Sequence, residues 1–178
     1  VSAWLPALEG LVAQLEAGIE VADVGCGHGH ATLLMAEAFP NSRFVGFDTH
    51  AESIAAARGH AAEAGLAGRV RVECAAASEI TDRRYGLVCF FDTLHDLGDP
   101  VAAAQRAEAV LAPGGTLLLV EPFAHDRVQD NLSLVSQLYY SGSENKDIYK
   151  VYSASSPGAV PLNVDGSVYG LTWSKDRS

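Results

Sequence analysis

The stretch Val21-Ala22-Asp23-Val24-Gly25-Cys26-Gly27-His28-Gly29, residues 21–29, decides how the rest of the chain is read. An apolar run ends in an acid and then in three alternating glycines, and Thr32 opens an Ala-rich helical pattern directly after them. A glycine turn between a strand and a helix lets the backbone take positive φ and approach a ligand closely, while the following helix offers unpaired N–H groups. A side chain at Gly25 or Gly27 would occupy the ligand's place. By itself a GxGxG run also fits an ordinary tight turn, so the surrounding pattern must carry the argument.

Outward from that turn, apolar runs at Ile19–Val24, Phe44–Asp48, Val70–Cys74, Leu87–Phe91 and Thr116–Val120 predict five strands. Thr32–Phe39, Ala51–Ala64 and Val101–Leu111 predict helices, closed by Pro40, Gly65 and Pro113. Strands apolar along most of their length, alternating with helices, describe an α/β fold with a mostly parallel, Rossmann-like sheet covered on both faces. Upstream, Trp4, Leu5, Leu8, Leu11, Val12 and Leu15 recur at helical spacing and predict an amphipathic entry helix ending near Gly18. Ala75–Tyr85 has room for only one or two helical turns.

Composition changes near Ser141. Lys146, Lys150 and Lys175 all lie beyond it, whereas every earlier basic residue is Arg. We therefore expect a core at 1–142 and an atypical tail at 143–178. Within the tail, Val160–Val164 and Val168–Trp173 flank Asp165-Gly166, a hairpin signal that would place two strands at the edge of the same sheet. A poorly ordered Ser- and Gly-rich terminus is the competing expectation.

The chain has 178 residues, enough for one sizeable core, and its 48% hydrophobic and 19% charged content with no long apolar run is that of a soluble domain. A formal charge of -10 opposes a broad phosphate-binding surface, so nucleic acid and membrane are not expected partners. Cys26, Cys74 and Cys89 are odd in number and lack CxxC spacing, which suits a reducing cytoplasm. The opening Val-Ser, with no Met, suggests a chain cut from something longer.

Asp48 stands nineteen residues after Gly29 at the end of the second predicted strand, where a carboxylate can accept both hydroxyls of an adenosine ribose. Nicotinamide dinucleotides and S-adenosylmethionine both place a ribose there. His30 holds the position at which the dinucleotide GxGxxG fingerprint needs its third glycine. Asp23, placed just before the first glycine and expected to point toward the loop, suits the positively charged methionine end of S-adenosylmethionine and would repel a pyrophosphate. Charge and spacing together favour S-adenosylmethionine over a nicotinamide cofactor.

Here the sequence resembles a known family. DVGCGHG, FVGFD, YGLVCFFDTLHDLGDP and VLAPGGTLLLVEP are similar, in order and spacing, to class I S-adenosylmethionine-dependent methyltransferases over residues 19–123. More narrowly, SAWLPALEG, AEAFPNSRFVGFD and FDTLHDLGDP resemble bacterial methyltransferase-domain proteins with an upstream winged-helix-like domain, through which a homodimer would form. The resemblance implies cofactor contacts at Gly25, Gly27, Gly29 and Asp48, with Phe91 and Asp92 closing the site. The acid that often holds adenine after the third strand is absent, Ala75, Ala76 and Ala77 standing in its region. The candidate cofactor set is thus Asp23, Gly25, Cys26, Gly27, Gly29, Asp48, Thr49, Ala76, Phe91 and Asp92.

Methyl transfer from a sulfonium is a direct displacement, so the protein must align the acceptor and, for a hydroxyl, remove its proton. His95 and Asp96 follow the fourth predicted strand at the carboxyl edge of the sheet, and Glu121 closes the fifth. The LHD sequence with that Glu resembles O-methyltransferases, which implies His95 as base and Glu121 as its orienting partner. The alternative is structural: a His beginning a helix can cap it, and Asp96 and Asp99 are ordinary first-turn acids. His28 and His30 are read as shaping the loop, and His50, His60 and His125 as surface residues; none shows metal-ligand spacing, so no metal is expected. Tyr139, Tyr140, Tyr149, Tyr152 and Trp173 either line an acceptor pocket or pack as ordinary aromatics. The expected function is methyl transfer to a small molecule, at oxygen; the alternative is an S-adenosylmethionine-binding domain without turnover.

Overall fold

A computed structural model describes residues 4–80 and 83–122, with further strands at 149–154, 162–164 and 168–170. Helix α1 (Leu11–Ala17) leads into strand β1 (Glu20–Val24), followed by α2 (His30–Ala38), β2 (Arg43–Asp48), α3 (Ala51–Glu63) and β3 (Val70–Cys74). After a single 3-10 turn at Ala77–Glu79 come β4 (Tyr85–Phe91), a second 3-10 turn at Leu94–Asp96, α4 (Pro100–Val110) and β5 (Leu111–Pro122). The strands β6 (Tyr149–Ala154), β7 (Leu162–Val164) and β8 (Val168–Gly170) complete the described chain.

The main sheet runs in the order β3-β2-β1-β4-β5-β6. Its first five strands are parallel, and β6 adds antiparallel to β5, pairing Glu121 with Lys150 and Leu118 with Ser153. Strand order reverses between β1 and β4, which opens a crevice at their carboxyl ends where sheets of this kind hold ligands. The five predicted strands and three predicted inner helices are all present.

Two apolar layers cover the sheet. Leu11 and Leu15 of α1, Met35 of α2, and Ile54 and Ala57 of α3 pack with Val21, Phe44 and Leu118 on one face. Ala103, Ala107 and Val110 of α4 pack with Ala22, Phe47, Val88 and Phe90 on the other. The Ala spacing brings the α4 backbone close to the strands, and Arg106 donates from Nε to the Ile80 carbonyl at 2.9 Å to tie the first 3-10 turn to α4. At the outer strand β3 the burial alternates, leaving Arg71 in an exposed 2.6 Å ion pair with Glu73; polar, charged edges discourage pairing with another chain.

Two expectations are corrected. The entry helix is shorter than its apolar spacing suggests: Gly10 adopts φ 75°, and regular helix begins only at Leu11. Pro6 lacks an N–H and Gly10 takes the left-handed conformation, so residues 4–10 form turns that still bury Leu5 and Leu8. In the tail, β7 and β8 do pair antiparallel on either side of Asp165-Gly166, but as a separate two-stranded sheet, and the edge of the main sheet is β6.

Candidate active site

The glycine turn is held by backbone bonds from its neighbour strand. Gly25 and Cys26 both donate to the Phe47 carbonyl, at 2.8 and 3.0 Å, and all three glycines have positive φ. Asp48 completes the clamp: Oδ2 accepts from Gly27 N–H at 2.9 Å and Oδ1 from His50 N–H at 2.9 Å. Each carboxylate oxygen can accept more than one hydrogen bond, so Asp48 shapes the loop and retains acceptor capacity toward the crevice.

That crevice is a cleft of about 280 Å³ lined by Val24, Gly25, Phe47, Asp48, Thr49, Ala75, Ala77, Asp92, Thr93, Asp96 and Leu97. Of the candidate cofactor residues, Gly25, Asp48, Thr49 and Asp92 line it. Gly27 stands behind, bonded to Asp48. Ala76 donates its N–H to the Glu79 carboxylate at 3.2 Å, and its neighbours Ala75 and Ala77 line the cleft instead. Phe91 stacks on Trp4 with ring centres 5.8 Å apart, and Gly29 packs against Ala57.

The expectation that Gly25 is small to admit a ligand gives way to a packing reason. A Cβ at Gly25 would lie 2.1 Å from the Thr93 Cγ2, so it is the Thr93 side chain that fills this space. Thr93 Oγ1 donates to the Phe91 carbonyl at 3.0 Å, with the Gly25 carbonyl 3.3 Å away, which couples the glycine turn to the segment after β4. Cys26 covers Gly46 in the same manner, and burial pushes its thiol up to about 12, which leaves it no nucleophilic character near neutrality.

Asp23 is not among the residues that line the cleft. Its carboxylate is buried and accepts from Thr32 Oγ1 at 2.5 Å, tying β1 to α2. Burial raises its pKa from 3.8 to about 6, against the lowering effect of the Thr32 hydrogen bonds and with a further upward push from Asp48. Because the folded value lies above the unfolded one, the associated stability is complete below pH 3.8 and is lost as pH rises through about 6. The loss is about 3 kcal/mol. Asp23→Asn keeps an acceptor for Thr32 without the charge. We expect its urea midpoint to exceed that of the parent at pH 7.5, with the gap closing as pH falls toward 4; a gap independent of pH would refute this account.

Beside the cleft, His95 Nδ1 lies 2.5 Å from Glu121 Oε2. The other oxygen of Glu121 accepts from Thr93 N–H at 3.0 Å and Leu94 N–H at 2.7 Å, so the carboxylate is fixed by the backbone turn that carries the histidine. Glu121 is buried and His95 is half exposed. Asp96 Oδ1 is 3.4 Å from Nε2, and Asp92 Oδ1 is 4.0 Å from Nδ1. The Glu121 hydrogen bond raises the His95 pKa above 6.5, desolvation opposes it, and the charges of Glu121, Asp96 and Asp92 add to the rise. Asp92 itself has φ 55°, a left-handed backbone that costs a non-glycine residue roughly 1–2 kcal/mol.

Asp92, His95 and Glu121 also bring three potential metal-ligand atoms within 4.8 Å of one another. Two ligands on one ion at bond lengths of about 2.1 Å stand about 3 Å apart, so at 2.5 Å His95 and Glu121 are hydrogen-bonded to each other. Asp99 caps α4, accepting from Ala102 N–H at 2.9 Å, whereas His95 lies in its own 3-10 turn and caps nothing in α4. His125, Tyr139, Tyr140 and Trp173 lie outside the described residues, as do the side chains of Tyr149 and Tyr152.

Sheet order, glycine turn and ribose-competent acid together define a Rossmann-like domain built for an adenosyl ligand. The chain belongs to the methyltransferase-domain family, whose model matches residues 15–173. Trans-aconitate 2-methyltransferase of Streptomyces avermitilis is 34% identical over 103 residues, 57% of this chain and 38% of that protein. Ubiquinone biosynthesis O-methyltransferase of Idiomarina loihiensis is 31% identical over 103 residues, 56% of this chain and 41% of that one. A solved S-adenosylmethionine-dependent methyltransferase from Geobacter sulfurreducens, in complex with S-adenosyl-L-homocysteine, is 27% identical with a TM-score of 0.56, covering 64% of this chain and 46% of that one. This chain spans about two fifths of the length of these curated relatives.

The cofactor of this class, S-adenosylmethionine, fits the residues present. Asp48 offers oxygens for ribose hydroxyls, and Val24, Phe47, Ala75, Ala77 and Leu97 supply an apolar wall for a purine. Asp92 and Asp96 bring negative charge to the cleft, as a sulfonium requires. No helix among the described residues is long and apolar enough to cross a membrane.

Proposed function

We propose that the chain transfers a methyl group to a hydroxyl of a small molecule, with His95 as general base and Glu121 as the group that positions it. The carrying observation is the 2.5 Å His95–Glu121 contact beside the cofactor cleft. With Nδ1–H donated to the carboxylate, the lone pair of the neutral ring sits on Nε2, on the side of Asp96, a cleft-lining residue. Bound cofactor supplies an electrophilic methyl. The chain's own work is to hold Nε2 against the acceptor hydroxyl and take its proton as the oxygen becomes nucleophilic. Asp48, Asp92 and the apolar cleft wall hold the adenosyl part in register with that base.

The three unpaired thiols, half-buried Cys26, exposed Cys74 and buried Cys89, suit a reducing, cytoplasmic setting. A direct test incubates the chain with methyl-labelled S-adenosylmethionine and a panel of neutral phenols and alcohols after calorimetry has established cofactor binding. Label is expected in an O-methyl ether. Binding without transfer to any acceptor would instead support the non-catalytic reading.

A further inference from the structure

His28, His30 and His60 converge on the outer face of the glycine turn, and none of them lines the cofactor cleft. His28 lies in the turn, His30 begins α2, and His60 belongs to the last turn of α3. The ring centres of His28 and His30 are 6.3 Å apart, and those of His30 and His60 5.4 Å. Three imidazoles bound to one ion through nitrogens at about 2.1 Å place their ring centres about 5 Å apart. Coordination by all three therefore requires rotation of the exposed side chains of His28 and His30.

His60 is prepared for that role. Its Nδ1 is 3.0 Å from the His28 carbonyl oxygen. A carbonyl only accepts, so Nδ1 carries the proton and Nε2 keeps a free lone pair; metal-binding histidines are commonly fixed by such a bond. His50 differs, since its Nδ1 accepts from Ser53 N–H. The backbone under the cluster is closely packed: a Cβ at Gly29, between His28 and His30, would stand 3.0 Å from the Ala57 Cβ of α3. The two backbone segments that carry the three rings are thus held at contact distance before any ion arrives. A net charge of -10 further favours cations near the surface.

We propose that His28, His30 and His60 form a binding site for one borderline divalent transition-metal ion, of the Zn²⁺ or Ni²⁺ type, that clamps the glycine turn to α3. An all-imidazole set disfavours Mg²⁺ and Ca²⁺, which take oxygen ligands. Water completes the coordination shell at this exposed position.

The experiment titrates Zn²⁺, and separately Mg²⁺, into the metal-stripped, untagged chain by calorimetry, with thermal melting as a second readout. One equivalent of Zn²⁺ is expected to bind and to raise the melting temperature, as any ligand selective for the folded state must. His30→Ala and His60→Gln should each weaken binding at least tenfold, while His95→Ala leaves it unchanged. His30→Ala removes no hydrogen bond from the turn, so it remains informative if the His60 variant loosens the loop. The proposal is overturned if Zn²⁺ does not bind, if His30→Ala binds as the parent does, or if His95→Ala abolishes binding.

Discussion

His95→Ala is expected to reduce methyl transfer to a hydroxyl acceptor by 10²- to 10⁴-fold, the range general-base catalysis supplies, while leaving cofactor affinity close to that of the parent. The asymmetry follows from position: His95 is held beside the cleft by Glu121 and does not line it. The pH profile makes the test specific. Only the neutral ring can accept a proton, and the bond to Glu121, with the nearby carboxylates, raises the His95 pKa above 6.5. The rate should therefore fall with decreasing pH along a limb centred above 6.5, and Glu121→Gln, which removes the negative charge, should move that limb to lower pH. A structural role for Glu121 would lower the amplitude and leave the limb in place. If His95→Ala retains the parent rate, alignment alone accounts for the chemistry and the base assignment fails.

Features fixed by local patterning were legible in the sequence, and those made by contacts across the fold were not. Strands β1, β2 and β4 are apolar on both faces, so their runs stand out without any partner being known. Asp48 was found from its distance to the glycines. The burial of Asp23 against α2 could have been found too. Side chains alternate along a strand, so Asp23 shares the face of Val21, and Val21 packs in the layer formed by Met35 of α2. Thr93 escaped because its importance lies in a contact with Gly25, 68 residues earlier, and no spacing rule connects the two. The histidine cluster escaped for the same reason: His60 meets His28 across 32 residues. The His95–Glu121 pairing was anticipated from family resemblance, although the two backbone bonds that fix Glu121 were not.

Asp48→Ala should reduce affinity for S-adenosylmethionine by at least 100-fold, through two losses that can be separated. Hydrogen bonds to a charged acceptor contribute about 1.5–3 kcal/mol each, so losing the acceptors for the ribose hydroxyls alone accounts for a change of that size. The same substitution strips Gly27 N–H of its partner at 2.9 Å and so releases the glycine turn from β2. Asp48→Asn divides the two effects, because its side-chain oxygen can still accept from Gly27 while the charge is gone. An intermediate affinity for Asp48→Asn, with its thermal stability close to that of the parent, would assign the difference to the ribose hydroxyls. Equal weakening by both variants would assign it to the carboxylate charge. Calorimetry with S-adenosylhomocysteine, which has the same ribose and no sulfonium charge, distinguishes the routes by which that charge could act. A ribose contact weakens both ligands alike, whereas long-range attraction to the sulfonium weakens S-adenosylmethionine alone. Unchanged affinity in Asp48→Ala would remove the adenosyl assignment of the cleft, and the function proposed for His95 would lose its cofactor with it.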